Sequence, residues 1–288
     1  MKLIHILSLS FVVILWGSSF AIIKIGVQEI PPITLAFLRF LIAVPFLITF
    51  TYLRNRHAFE RRILKDWKIF ALLGVTGVTL QNLLQNVGLQ FTTASNASLI
   101  IGANPIFIAL LDTLYLKEKA TLRLVSGVVL AFSGVVLVIK PTEWPLHPMM
   151  VIGDLLCLCS GFAWACYSVL TRKQLLEYGA NEITTYSMAL GTLFLLPSSL
   201  VFETLDLPAS SMSWFILLYL GLLCSGLAFL LWSRALEDVS ATKAGAFLFF
   251  IPVVSVMFAH FILSEPLDVL FAVGTILVLI GVALTELR

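Results

Sequence analysis

Charged side chains are scarce in this chain: they make up 12% of 288 residues, against about 25% in an ordinary soluble protein. A water-facing globule is excluded on that ground. The formal net charge of +2 gives no reason to expect nucleic-acid binding, because nearly all the basic residues stand at the ends of apolar stretches. Cysteine is sparse too. Cys157, Cys159, Cys166 and Cys224 all fall inside apolar stretches, where a free thiol behaves as a small apolar group. No disulfide framework follows, and with no His at ligand spacing neither a metal site nor a cofactor is implied. His5, His57, His147 and His260 all lie near the ends of such stretches, so no base converges at depth with a nucleophile as an intramembrane enzyme would need.

What the chain has in abundance is apolar length, with 60% hydrophobic residues and a mean hydropathy of +1.03. Stretches of about 20 residues, enough to cross a hydrocarbon core of about 30 Å, occur near 3–25, 31–53, 67–88, 94–116 and 122–139. A second set follows near 151–171, 181–202, 213–235, 241–263 and 267–286. The pattern predicts an all-α polytopic membrane protein of ten transmembrane helices in two groups of five. Lys140 to Met150, with Pro141, Pro145 and Pro148, reads as the linker between them. The first stretch resembles a signal peptide in its Lys2 start but runs on through Ile25, long enough to span.

The stretch from Trp67 to Gly134 occurs twice. Moved forward without a gap by 147 positions, Trp67 falls on Trp214, Gly74 on Gly221, Pro105 on Pro252, Glu118 on Glu265, Gly127 on Gly274 and Gly134 on Gly281. Basic residues fix the orientation, because cytoplasmic loops retain them. With the N-terminus inside, 15 Lys and Arg collect on the cytoplasmic side and two, Lys24 and Lys140, on the other; Arg39 is inside a span. An odd number of spans per half then inverts the repeat: the turn Lys117–Arg123 faces in and its copy Ser264–Leu270 faces out. Duplicated, inverted halves are a recurrent plan of secondary transporters, with substrate held between them.

Further residues carry a family resemblance: Trp16-Gly17-Ser18-Ser19-Phe20, Leu38-Arg39-Phe40, the small and polar start of the fourth span (Thr92, Thr93, Ala94, Ser95, Ala97), then Pro105, Glu118, Gly127 and Gly134. The second half offers Ala235-Leu236, Ser240, Ala241, Ala244, Pro252, Glu265, Gly274 and Gly281. In these the chain resembles the EamA-type ten-helix transporters of the drug/metabolite transporter superfamily, over essentially its whole length. The resemblance implies one five-helix repeat in 1–139, a linker in 140–150 and a second repeat in 151–288. It further implies a central cavity flanked by helices 5 and 10, and export of amino acids or related metabolites across the inner cell membrane.

Arg39 lies eight residues past Pro31, about 12 Å into its span at 1.5 Å per residue. A guanidinium so deep faces a cavity or a partner; it is expected either to hold a substrate carboxylate or to make a structural tie to helix-end carbonyls or to an acid. Gln81, Asn82, Gln85 and Asn86 form one polar stripe, whose copies are Ala228, Phe229, Trp232 and Ser233. Polar contacts between helices are one reading of the stripe and a cavity wall is the other. Asn104 stands before Pro105 where the second half has Ile251 before Pro252, and both prolines are candidate gating kinks. Trp16, Trp164, Tyr167 and Trp232 are mid-span rather than interfacial, and each is expected either to fill a gap in the bundle or to line a cavity. The expected cavity set is Arg39, Gln81, Asn82, Gln85, Asn104, Trp16, Ser19, Trp164, Tyr167, Phe229 and Trp232.

Asp112 and Asp154, near span ends, are expected to reach headgroups or water, with proton coupling as the other reading. Thr121 and Asp268, three positions after Glu118 and Glu265, are expected to cap the next helices. The glycines at 127, 134, 274 and 281 suit close packing of helices 5 and 10, within the chain or in a homodimer. The expectation is a transporter in a lipid bilayer, with a small-molecule substrate and cytoplasmic termini, exporting amino acids or similar carboxylated metabolites by alternating access. Efflux of organic cations is the competing cargo, though no acid lies between Leu3 and Ile25. A phosphorylated cargo would leave one deep arginine against two charges, and a scaffold without substrate is the remaining alternative.

Overall fold

The computed structural model describes residues 1–54, 62–92, 94–102, 104–115, 121–139, 148–204, 208, 210–263 and 269–286. Every regular element among them is a helix. They are α1 (Leu3–Gly26), α2 (Pro32–Arg54), α3 (Asp66–Phe91), α4 (Ala94–Ile101), α5 (Asn104–Tyr115), α6 (Leu122–Ile139), α7 (Pro148–Gln174), α8 (Ala180–Phe202), α9 (Ser211–Asp238), α10 (Ala241–Ile262) and α11 (Val269–Glu286). Seven of these, α1, α2, α3, α7, α8, α9 and α10, are long and apolar enough to cross a membrane; α5, α6 and α11 contain shorter apolar helices. Large apolar side chains such as Phe11, Leu53, Val129, Phe202 and Phe261 point outward, as lipid contact requires.

The duplication reappears in the helix boundaries. Phe91 and Asp238 end α3 and α9, Ala94 and Ala241 begin α4 and α10, and Leu122–Ile139 matches Val269–Glu286, each pair 147 positions apart. One position is gained earlier: Pro32 and Ala180, like Arg54 and Phe202, are 148 apart. Both α3 and α9 contain a wide π-helical segment, Val75–Leu80 and Tyr219–Leu227, and the two segments end at matching positions. The proline positions match as well. In the fourth span α4 ends at Ile101, ahead of Pro105, and α10 tightens to a 3-10 turn at Phe247–Phe249, ahead of Pro252. Proline has no N–H and crowds the carbonyl one turn earlier, so the regular ladder fails just upstream.

Glycines set the closest contacts. A Cβ on Gly74 would stand 2.5 Å from the Ser187 carbonyl oxygen on α8; one on Gly221 would stand 2.7 Å from the Arg39 carbonyl oxygen on α2. These are the same contact made twice, since Ser187 matches Arg39. The most extensive pairing is α6 with α11. There a Cβ on Gly134 would meet Gly274 and Val278 within 2.7 Å, and one on Gly281 would meet Ala131 at 2.5 Å. These small faces of α6 and α11, the expected fifth and tenth spans, are therefore used within one chain, which removes the ground for a homodimer through them.

Asp112 corrects its expectation. It is 0% exposed rather than interfacial, and its Oδ2 accepts from the Thr242 backbone N at 2.9 Å and from the Thr242 hydroxyl, capping α10. Removing such an acceptor strands a buried donor, at a cost of about 1–3 kcal/mol. Asp112→Ala is accordingly expected to lower the thermal midpoint of the purified protein, with Asp112→Asn recovering part of the loss. Asp154 is half-buried and accepts from the Thr92 hydroxyl. Thr121 caps α6 as expected, its Oγ1 accepting from Leu124 N at 3.2 Å. Glu118, Glu265, Asp268, Thr93 and linker residues 140–147 lie outside the described residues. In the α1–α2 turn, hydrogen bonds from Ser213 and Ser210 hold the Glu29 carboxyl below its usual range and tie the turn to the start of α9.

Candidate functional site: a cavity around Arg39

A cavity of about 60 Å³ opens between α1, α2, α3, α4, α5, α7, α9 and α10. Eight of the eleven expected residues line it: Trp16, Ser19, Arg39, Gln81, Gln85, Asn104, Trp164 and Phe229. The local reason is the pair of π segments. Each adds width to its turn, and each ends within two residues of one that lines the cavity, Gln81 in α3 and Phe229 in α9.

Arg39 is 7% exposed. One guanidinium nitrogen, Nη2, donates to Asn82 Oδ1, and Asn82 is steadied by donating to Val78 O at 2.9 Å. Its carbon lies 4.8 Å from the centre of the Phe40 ring. Nε has no hydrogen-bond partner among the described residues, and no described acid forms an ion pair with Arg39. Arg39 is therefore a buried cation met by an amide rather than by an acid. The polar stripe divides by role. Gln81 donates to Gln85 at 2.6 Å on the cavity wall, Asn82 holds Arg39, and Asn86 ties α3 to α2 through Pro32 O at 3.0 Å. Asn104 is 4% exposed with its Oδ1 unpartnered, and it fits against α7 because residue 161 is glycine.

The opposite wall is aromatic. Trp16 and Trp164, matching positions in the two halves, meet edge to face at 4.9 Å and 85°. Phe229 packs on both, at 5.7 Å and 5.3 Å. Trp16 is fixed by donating to Cys224 O at 2.9 Å. Tyr167 and Trp232 are 0% exposed and stand behind Trp164 rather than on the cavity, at 5.2 Å and 5.6 Å from it. Both expected cavity residues are thus packing residues in this conformation. Trp232→Ala is expected to destabilise the protein by about 3–5 kcal/mol, as large-to-small core changes do, read from the thermal midpoint in detergent. Cys224, Phe20, Ile23, Ile101, Leu248 and Ile251 also line the cavity and were not expected. Only the offset of 147 pointed to one of them, Ile251, as the partner of Asn104.

An all-helical, lipid-facing bundle with a polar and aromatic cavity at its centre defines a membrane transporter. A profile of the EamA-like transporter family matches residues 3–140 and again 151–287, and the chain belongs to that family. A protein of Archaeoglobus fulgidus named "Uncharacterized transporter" is 36% identical over 286 residues, covering 99% of this chain and 97% of its own. A Streptantibioticus cattleyicolor relative named "Probable terminal-alkyne amino-acid exporter" is 28% identical, covering 98% and 93%. A crystal structure 20% identical in sequence superposes with a TM-score of 0.81 over 96% of this chain and 95% of that one, a likeness of fold. The family and these named relatives are transporters rather than enzymes.

Proposed function

We propose that the protein exports amino acids or closely related carboxylated metabolites by alternating access. The observation that carries this reading is Arg39: a buried guanidinium, unpaired by any acid among the described residues, on the wall of a central cavity. A buried charge without a counter-charge is costly, and a substrate carboxylate is the anion that completes it, taken bidentately by the fork. The amides of Gln81, Gln85 and Asn104 and the rings of Trp16, Trp164 and Phe229 suit the rest of an amphipathic zwitterion, with Ser19 beside them. Asn82 serves as the residue that aims the fork. The amino-acid exporter among the relatives supports the same cargo class.

The architecture we propose is ten spans, in repeats 1–139 and 151–288 joined by 140–150, inverted with respect to each other. The contacts of α6 and α11 support the inversion: Ala131 meets Gly281 while Gly134, further along, meets Gly274 to Val278, further back. An antiparallel, self-complementary contact of this kind is what a two-fold axis in the membrane plane produces. Lys2, Arg54, Arg172 and Arg234 gather at one end of the bundle, through Asp238, Phe50 and the α9 carbonyls. That end is taken as cytoplasmic in the inner cell membrane. Trp232 and Tyr167 close the cavity towards it, and Pro105 and Pro252 mark the bends about which the closure would reverse.

The test is uptake of a mixed pool of labelled amino acids by purified protein in liposomes. Saturable uptake of one or a few species is the expected result. An inactive pool, with organic cations moving instead under a pH gradient, would overturn the cargo class.

A further inference from the structure

A second cavity, of about 240 Å³, opens where the C-terminal ends of α2 and α9 meet the start of α8. Its residues are distinct from those around Arg39. Two cations and two anions line it: Arg54 and Arg234, Glu182 and Glu237. Among the described residues none of the four forms an ion pair, although opposite charges so placed ordinarily close on each other.

Other contacts hold three of them apart. Arg234 donates from Nε and Nη2 to Asn181 Oδ1, at 3.3 Å and 3.0 Å, and its guanidinium carbon sits 5.3 Å from the centre of the Phe50 ring. Arg54 lies 5.8 Å from the same ring. Glu237 accepts from Ala180 N at 2.9 Å. An anion entering alone would meet two carboxylates, and a cation alone would meet two guanidiniums. A small molecule bearing both charges satisfies all four groups.

We propose that this cavity is a second binding site for a free amino-acid-like zwitterion, its carboxylate taken by Arg54 and Arg234 and its ammonium by Glu182 and Glu237. That this ligand is the cargo, held at the mouth of its path, rests on the proposed function. A line of buried hydroxyls and rings joins the two cavities. Thr51, on the mouth cavity, meets Thr185 at 2.8 Å. The neighbouring Thr184 donates to Ser233 at 2.9 Å, Ser233 approaches Tyr167 at 3.5 Å, and Tyr167 packs on Trp164 of the central wall. Polar groups along the way give a zwitterion successive partners.

Arg54 and Glu182 are the residues to change, because the hydrogen bonds that hold the cavity's frame run through Arg234 and Glu237. Full-length protein carrying Arg39→Gln, which removes the central handle, is dialysed to equilibrium against an equimolar pool of the protein amino acids plus O-phosphoethanolamine. Retained species are quantified by mass spectrometry. The expected result is retention of an amino acid that falls about tenfold, or about 1.4 kcal/mol, when Arg54→Gln or Glu182→Gln is added. The deaminated and decarboxylated analogues of the retained species are expected to bind at least about tenfold more weakly.

Retention insensitive to both changes overturns the site. Equal retention of the deaminated acid overturns the zwitterion, and preferred retention of O-phosphoethanolamine assigns the cavity to a lipid headgroup instead. The two readings fail separately. Retention that needs Arg54 in a protein without amino-acid flux leaves the site standing and removes the transport reading. Flux that needs Arg39, with retention indifferent to Arg54 and Glu182, removes the site alone.

Discussion

Arg39→Gln is expected to lower kcat/KM for the transported amino acid by about 30- to 5,000-fold, because losing one partner of a desolvated charge pair costs about 2–5 kcal/mol. The substituted protein should still fold. The native guanidinium is 7% exposed with Nε unpartnered, so the apo protein already bears the cost of burying it. A glutamine removes that cost and can still donate towards Asn82, so the thermal midpoint is expected to hold or rise. Stability and transport should therefore move in opposite directions, a signature that a merely structural arginine would not give. A tie between helices would instead lose both together.

Arg39→Lys sharpens the test. Lysine keeps the charge but offers a point rather than a fork, so partial activity with a raised half-saturation concentration is expected. Decarboxylated analogues supply the complementary control, since they lack the group that Arg39 holds and should be insensitive to the substitution. Wild-type flux in a folded Arg39→Gln protein would remove the carboxylate handle from the mechanism.

Much of this arrangement was legible before any coordinates. Apolar length placed α2 at 31–53 against Pro32–Arg54, and α8 at 181–202 against Ala180–Phe202. Depth alone singled out Arg39. Hydropathy measures composition and is blind to helical register, which is where the readings diverged. A regular helix puts Gln81, Asn82, Gln85 and Asn86 on one stripe. The π segment before Gln81 helps set which of them face the cavity, and Asn86 turns to Pro32 instead. Asp112 looked interfacial because it is close to the end of its span, yet the start of α10 folds over it and supplies two donors. Cys224 gave no signal at all. Its exposure to the cavity follows from the bulge at Tyr219–Leu227, and its matching position in the first half is Gly77.

Gly221→Val is expected to cost more than any other single change considered, with loss of folded protein from the membrane fraction. A Cβ there would lie 2.7 Å from the Arg39 carbonyl oxygen and 3.0 Å from two Ile42 side-chain carbons. A rotating side chain could yield, but the backbone of α2 cannot move away without carrying Arg39 and the Asn82 contact with it. Even one methyl group should be felt, because overpacking a close helix contact costs about 1–3 kcal/mol. Gly221→Ala is thus the informative variant: lowered thermal midpoint, with reduced flux in whatever protein remains folded.

Gly74→Ala makes the comparison, since it presses on Ser187 and Gly191 at 2.5 Å and 2.6 Å in the other half, where no arginine sits. Both alanines are expected to lower stability, and only that at position 221 to raise the half-saturation concentration for a carboxylated substrate. Gly179→Ala is the control, having no atom within 4 Å of the added Cβ and an ordinary φ of −74°; its stability is expected within about 1 kcal/mol of wild type. Equal effects on half-saturation at positions 74 and 221 would mean that the α2–α9 contact does not aim the guanidinium. The two halves would then share a packing rule without sharing out a function.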